Sequence, residues 1–124
     1  MTKPLALIVY DNLLPGSQLV NRFEDLGYRV QTVSKPKLLF EYAQREKPLV
    51  VVIDLESHKP DVCAAIKQIK EHPVTTHIPV IAFARERSED LQASAHAAGA
   101  RLVASDTAIL IHLPQFLEQA LEVD

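Results

Sequence analysis

The chain has little of several residues that would point to particular chemistries. It has one cysteine, one methionine, three glycines and no tryptophan in 124 residues. A lone Cys63 cannot close an internal disulfide, which fits a reducing, cytoplasmic setting. Gly16, Gly27 and Gly99 stand too far apart for GxGxxG or GxxxxGK[ST], so a glycine-rich phosphate cradle is excluded. Positive charge is not in excess either: 13 Lys and Arg face 16 Asp and Glu, for a net charge of −3. With no block of like charges, a general electrostatic grip on nucleic acid or anionic lipid is not expected. No apolar run reaches the roughly 18 residues of a membrane span. Nor does Met1-Thr2-Lys3-Pro4 open a signal peptide. His72, His77, His96 and His112 lack the spacing of a closed zinc site and read as surface or capping residues.

What is present is ordinary globular material, 48% hydrophobic and 23% charged. The length suits one domain over residues 1–124. A chain of this size buries about two thirds of the surface that its unfolded form exposes, so it needs no disulfide or metal to fold.

Five short β-rich runs alternate with five helical patterns. The strands are predicted at 5–10, 28–33, 49–53, 79–83 and 101–104. Leu49-Val50-Val51-Val52-Ile53 has no polar alternation, the mark of a strand covered on both faces. The run 78–83 is similar. Val30 and Val33 are interrupted by Gln31 and Thr32, which places that strand nearer an edge.

Between the strands the apolar spacing lengthens to about four. Leu19, Val20, Phe23 and Leu26 form one stripe, closed by Gly27. Leu38, Leu39, Tyr42 and Ala43 form a second, opened by Ser34 and Pro36. Val62, Ala65, Ile66 and Ile69 form a third, ended by His72-Pro73. A fourth, alanine-rich helix over 88–98 has Ser88 as its cap and stops at Gly99. The fifth carries Leu113, Phe116, Leu117, Ala120 and Leu121. Strand plus helix repeats about every 25 residues, which implies parallel strands with crossover helices. With right-handed crossovers, the expectation is a doubly wound α/β domain: a five-stranded parallel sheet in the order 2-1-3-4-5, flanked by five helices.

In such sheets the functional site lies outside the carboxyl ends of the strands, near the reversal of strand order. Asp11 follows the first strand and Asp54 the third, so both would face one crevice. Two such carboxylates suit a hard divalent cation such as Mg2+. Left unpaired, each would raise the pKa of the other. Aspartates at these positions also serve simply as caps of loops and helices.

The chain resembles the receiver domains of bacterial two-component response regulators, which are flavodoxin-like in fold. The resemblance runs over the whole length. It is carried by Leu7-Ile8-Val9-Tyr10-Asp11-Asn12, by Leu49-Val50-Val51-Val52-Ile53-Asp54, by His72-Pro73-Val74-Thr75-Thr76-His77-Ile78-Pro79-Val80-Ile81, and by Ala97-Ala98-Gly99-Ala100. It implies that Asp54 is the phosphoacceptor, served by a histidine kinase or phosphotransferase. It also implies that Asp11, Asp54 and the backbone carbonyl of Glu56 hold Mg2+.

Four positions depart from the pattern. Tyr10 replaces the first of two adjacent acids. Ala84 replaces a Ser or Thr that touches the phosphoryl group. Val103 replaces an aromatic ring that moves with that hydroxyl. Asp106 replaces a Lys that pairs with the phosphate, and no Lys or Arg follows Arg101 in the chain. A phosphoryl group brings about −1.5 to −2 charge, so exchanging the lysine for Asp106 turns attraction into repulsion unless Mg2+ or Arg85 compensates. The resemblance therefore implies an atypical receiver in phosphorelay signalling that acts through protein contacts. It implies neither enzyme activity nor nucleic-acid or membrane binding, and it leaves the partners and oligomeric state open.

The alternative is a small flavodoxin-like enzyme or ligand-binding domain using the same crevice. That reading would need a phosphate-binding loop or a clustered nucleophile and base. The nearest candidates, Ser57 and His58 beside Asp54, are too close in one loop to form a triad readily.

Overall fold

The computed structural model describes residues 3–10, 13–33, 35–55, 61–84 and 89–121. Its strands are β1 (Leu5–Val9), β2 (Arg29–Val33), β3 (Val50–Asp54), β4 (Val80–Ala84) and β5 (Leu102–Ser105). They form one sheet in the order β2-β1-β3-β4-β5, with every neighbouring pair parallel. The helices are α1 (Leu13–Asp25), α2 (Leu39–Glu46, entered through a 3-10 turn at Pro36–Leu38), α3 (Asp61–Glu71), α4 (Glu89–Ala98), α5 (Asp106–Ile111) and α6 (Leu113–Ala120). Among the described residues no helix is long and apolar enough to cross a membrane.

Burial follows the sequence patterns. All residues of β1, β3 and β4 are buried, whereas β2 and β5 are only partly so. The unbroken branched runs are thus the central strands, and the interrupted one is an edge. Alternate residues supply two cores, one on each face of the sheet. Leu7, Val51, Ile53 and Val80 pack with Leu39 of α2, Ile66 and Ile69 of α3 and Ala95 of α4. Ile8, Val52, Ile81 and Phe83 pack with Leu19 and Phe23 of α1, Ile109 of α5 and Leu113 and Leu117 of α6.

Gly27 and Gly99 end α1 and α4 as their positions predict. Tyr28 N–H donates to the Phe23 carbonyl and Gly27 N–H to that of Glu24. Ala100 and Gly99 repeat the pattern on Ala95 and His96. These are Schellman closures, which need the left-handed backbone that both glycines adopt, at φ 89° and 118°.

Two local readings differ from the structure. The strands after β1 begin one residue later than predicted, and β3, β4 and β5 also end one residue later. Leu49, at 43% exposed, precedes β3 rather than opening it. The predicted fifth helix, carried by Leu113 to Leu121, is α6, and the short α5 before it is a further, unpredicted helix, the sixth among the described residues. Pro114 lies in the first turn of α6, where its missing N–H is tolerated, but it cannot continue α5. The chain turns at His112, whose N–H closes α5 on the Ala108 carbonyl. The Ser88 cap and Ser34 lie outside the described residues.

Candidate functional site at the carboxyl rim of the sheet

The order reverses between β1 and β3, so the carboxyl ends of β1, β3, β4 and β5 form one rim beside the switch point. Asp54 sits there, on the middle strand of the sheet. Its carboxylate is one of two buried polar or charged side chains among the described residues, at 3% exposed. The ladder fixes its backbone: Asp54 pairs in register with Phe83, and Leu55 N–H donates to the Phe83 carbonyl at 2.9 Å. A carboxylate carried by a strand held on both sides is more precisely placed than one on a loop.

The other rim positions offer little. Tyr10, directly after β1, is half-buried and packs on the α1/α5/α6 side. Ala84 closes β4 at 1% exposed, paired with Ser105 of β5. It brings no hydroxyl. Val103, paired with Ala82, lies half-buried against the α2/α3/α4 core. Asp11, Glu56, Arg85, Ser57 and His58 fall outside the described residues.

Asp106 has a local role. Strand β5 runs into α5 without a loop, and Ser105 is the N-cap, its Oγ accepting from Ala108 N–H at 3.0 Å. Asp106 opens the helix and its Oδ1 accepts from Thr107 N–H at 2.8 Å. An acid in the first turn also suits the positive end of the helix dipole.

The remaining candidates are structural. His72 Nδ1 accepts from Val74 N–H at 3.2 Å, and its ring stacks on Phe40 at 4.8 Å. Cys63 is half-buried, and burial pushes its thiol pKa up, which keeps it protonated and poorly nucleophilic. The role of Thr75 and Thr76 was not foreseen. Their hydroxyls donate to the Ile69 and Lys70 carbonyls, each at 2.7 Å, and close the C-terminus of α3. A Thr-Thr pair just after a helix ended by His-Pro was the available signal.

Among the described residues no group of three or more His, Cys, Asp or Glu is placed to hold a metal. Of the predicted Mg2+ ligands only Asp54 is described, and a buried carboxylate at the switch point is chemically suited to a hard cation.

No protein-family model matches the chain, and no curated protein does. Solved structures do. The receiver domain of a sensor histidine kinase from Pseudomonas aeruginosa PAO1, which has magnesium coordinated in its active-site cleft, is 19% identical with TM-score 0.86, over 97% of this chain and 98% of that one. A response regulator from Thermotoga maritima is 19% identical with TM-score 0.79, over 96% and 98%. The signal receiver domain of a DNA-binding response regulator from Colwellia psychrerythraea 34H is 24% identical with TM-score 0.77, over 94% and 99%. The strand order and the two-sided core agree with these likenesses: the chain has the fold of a response-regulator receiver domain.

Proposed function

We propose that this chain is a receiver-type signalling domain of a phosphorelay that keeps Asp54 as phosphoacceptor but has lost the residues that report phosphorylation. One observation carries the reading. The rim retains a buried carboxylate on β3 beside Ala84, Val103 and Asp106, where hydroxyl, aromatic ring and lysine would stand.

In phosphotransfer the Asp54 carboxylate oxygen attacks the phosphorus of a phosphohistidine. The P–N bond breaks, an acyl phosphate forms, and the imidazole leaves with a proton. The donor is a histidine kinase or phosphotransferase, and the chain itself is an acceptor rather than an enzyme. Mg2+, held weakly by Asp11, Asp54 and the Glu56 carbonyl, would neutralise charge on the transferred group. Tyr10 supplies no second acid there, which lowers affinity without removing the site.

Transmission is a separate matter. A modification shifts a conformational equilibrium only if it interacts differently with the two states. Ala84 has no hydroxyl to be drawn in, Val103 no ring to follow, and Asp106 repels the added charge. The output is then contact with a partner protein in the cytoplasm that does not depend on phosphorylation. The surface favoured for it is α4, β5, α5 and the first turn of α6, residues 89–116. Ala95 is the one fully buried residue of α4, and β5 is an edge strand of four residues. Incubation with a small phosphodonor and Mg2+, read by intact mass, tests the acceptor role. A single phosphoryl adduct is expected on the wild type and none on Asp54→Asn. An unmodified wild type would overturn it.

A further inference from the structure

A basic concavity lies at the opposite end of the sheet. A groove of about 910 Å³ is lined by residues at or just before the start of every strand: Leu5, Arg29, Leu49, Pro79 and Arg101. Among the described residues five cations line it, namely Lys3, Arg29, Lys47, Lys70 and Arg101, and no Asp or Glu does. This concentration stands out in a chain of net charge −3. Five of the thirteen Lys and Arg of the chain are gathered there.

The cations come from separate segments and are held in place. Arg29 Nε donates to the Lys3 carbonyl at 3.2 Å, and Arg101 Nε to that of Gln119 at 3.3 Å. Each contact ties a guanidinium group to a backbone carbonyl. Lys70 Nζ donates to the Thr76 and Ile78 carbonyls, both at 2.9 Å. Its stem lies against Gly99, where an added Cβ would come within 2.7 Å of Lys70 Cγ. Burial and then the Arg101 charge lower the Lys70 pKa, which places the two cations near one another.

We propose that this groove binds a small polyphosphate-bearing anion, up to the size of a nucleotide. The volume lies within the range of small-molecule sites. Fixed guanidinium groups with adjacent ammonium groups suit phosphate oxygens, which accept charge-assisted hydrogen bonds. The site is independent of Asp54.

The test is NMR titration of the full chain without Mg2+, using inorganic pyrophosphate in one arm and ATP in the other. Saturable shifts are expected at the amides of Arg29, Leu49 and Arg101 in the wild type and equally in Asp54→Asn. Arg101→Gln should weaken binding about tenfold, the loss of one charge-assisted hydrogen bond. Adding Lys47→Gln should weaken it further, with thermal melting showing that the double variant is folded. Tighter binding of ATP than of pyrophosphate would assign a nucleoside to the ligand, and equal binding an inorganic polyphosphate. The proposal is overturned if neither anion gives saturable shifts at these amides, if the double variant titrates like the wild type, or if only heparin binds.

Discussion

Replacing Asp106 by Lys should turn a poor phosphoacceptor site into a better one. Asp54 is level with Phe83, and Phe83 with Ala104, so the ends of β3 and β5 are two strand spacings apart. At roughly 4.8 Å per spacing that is about 10 Å between backbones, and side-chain reach brings the charges to about 8 Å. A phosphoryl group of about −2 facing one negative charge at that distance is repelled by roughly 4 kcal/mol at an effective dielectric near 20. Asp106 is half-exposed, so solvent and salt reduce this to about 2 kcal/mol. Lysine reverses the sign, and Asp106→Asn removes the repulsion alone. Against this, the substitution loses the bond from Thr107 N–H and sets a cation at a helix N-terminus, which costs roughly 0.5–1 kcal/mol of stability. The net expectation is a phosphorylated fraction at least about tenfold higher at fixed phosphodonor, with Asp106→Asn between, and slightly earlier thermal melting. Intact-mass time courses with Mg2+ read the first effect and circular dichroism the second. A folded Asp106→Lys that is phosphorylated no better than wild type would refute the electrostatic argument and leave Asp106 as a helix start only.

Other consequences concern the scaffold. Thr75→Val keeps the shape of a fully buried side chain but strands the Ile69 carbonyl, and should cost about 1–2 kcal/mol in urea unfolding. Lys47 ends α2 in the left-handed region at φ 50°, so Lys47→Gly should stabilise by up to about 1 kcal/mol in the same assay. Gly27→Ala and Gly99→Ala both impose strain at positive φ, of about 1 kcal/mol or more. Only Gly99→Ala adds a collision, with Lys70, so its midpoint should fall further; equal losses would contradict the packing described.

The sheet was legible because β1, β3 and β4 are continuous branched runs, and such runs occur where both faces are covered. The helix stops at Gly27 and Gly99 were legible for the same kind of reason, since few residues other than glycine tolerate those backbone angles. The break between α5 and α6 was harder to see. The apolar spacing from Leu113 to Leu121 belongs to α6 alone and says nothing of the short α5 before it, so only Pro114 marks the boundary. At the rim, Asp54, Ala84, Val103 and Asp106 could be placed from strand ends and resemblance, but the use of Ser105 and Asp106 to start α5 depends on β5 ending without a loop. The basic groove left no local trace. Lys3, Arg29, Lys47, Lys70 and Arg101 are scattered over the chain, and parallel topology alone gathers the strand starts at one end.

The central claim is that Asp54 can carry a phosphoryl group without moving the α4–β5–α5 face. Amide hydrogen exchange of the wild type, before and after phosphodonor treatment with Asp54→Asn in parallel, tests it directly. The account predicts altered protection confined to the neighbours of Asp54 and unchanged protection over residues 89–116. Altered exchange across residues 89–116 in the phosphorylated wild type alone would contradict it, and Arg85 would then be the first residue to test as the replacement cation.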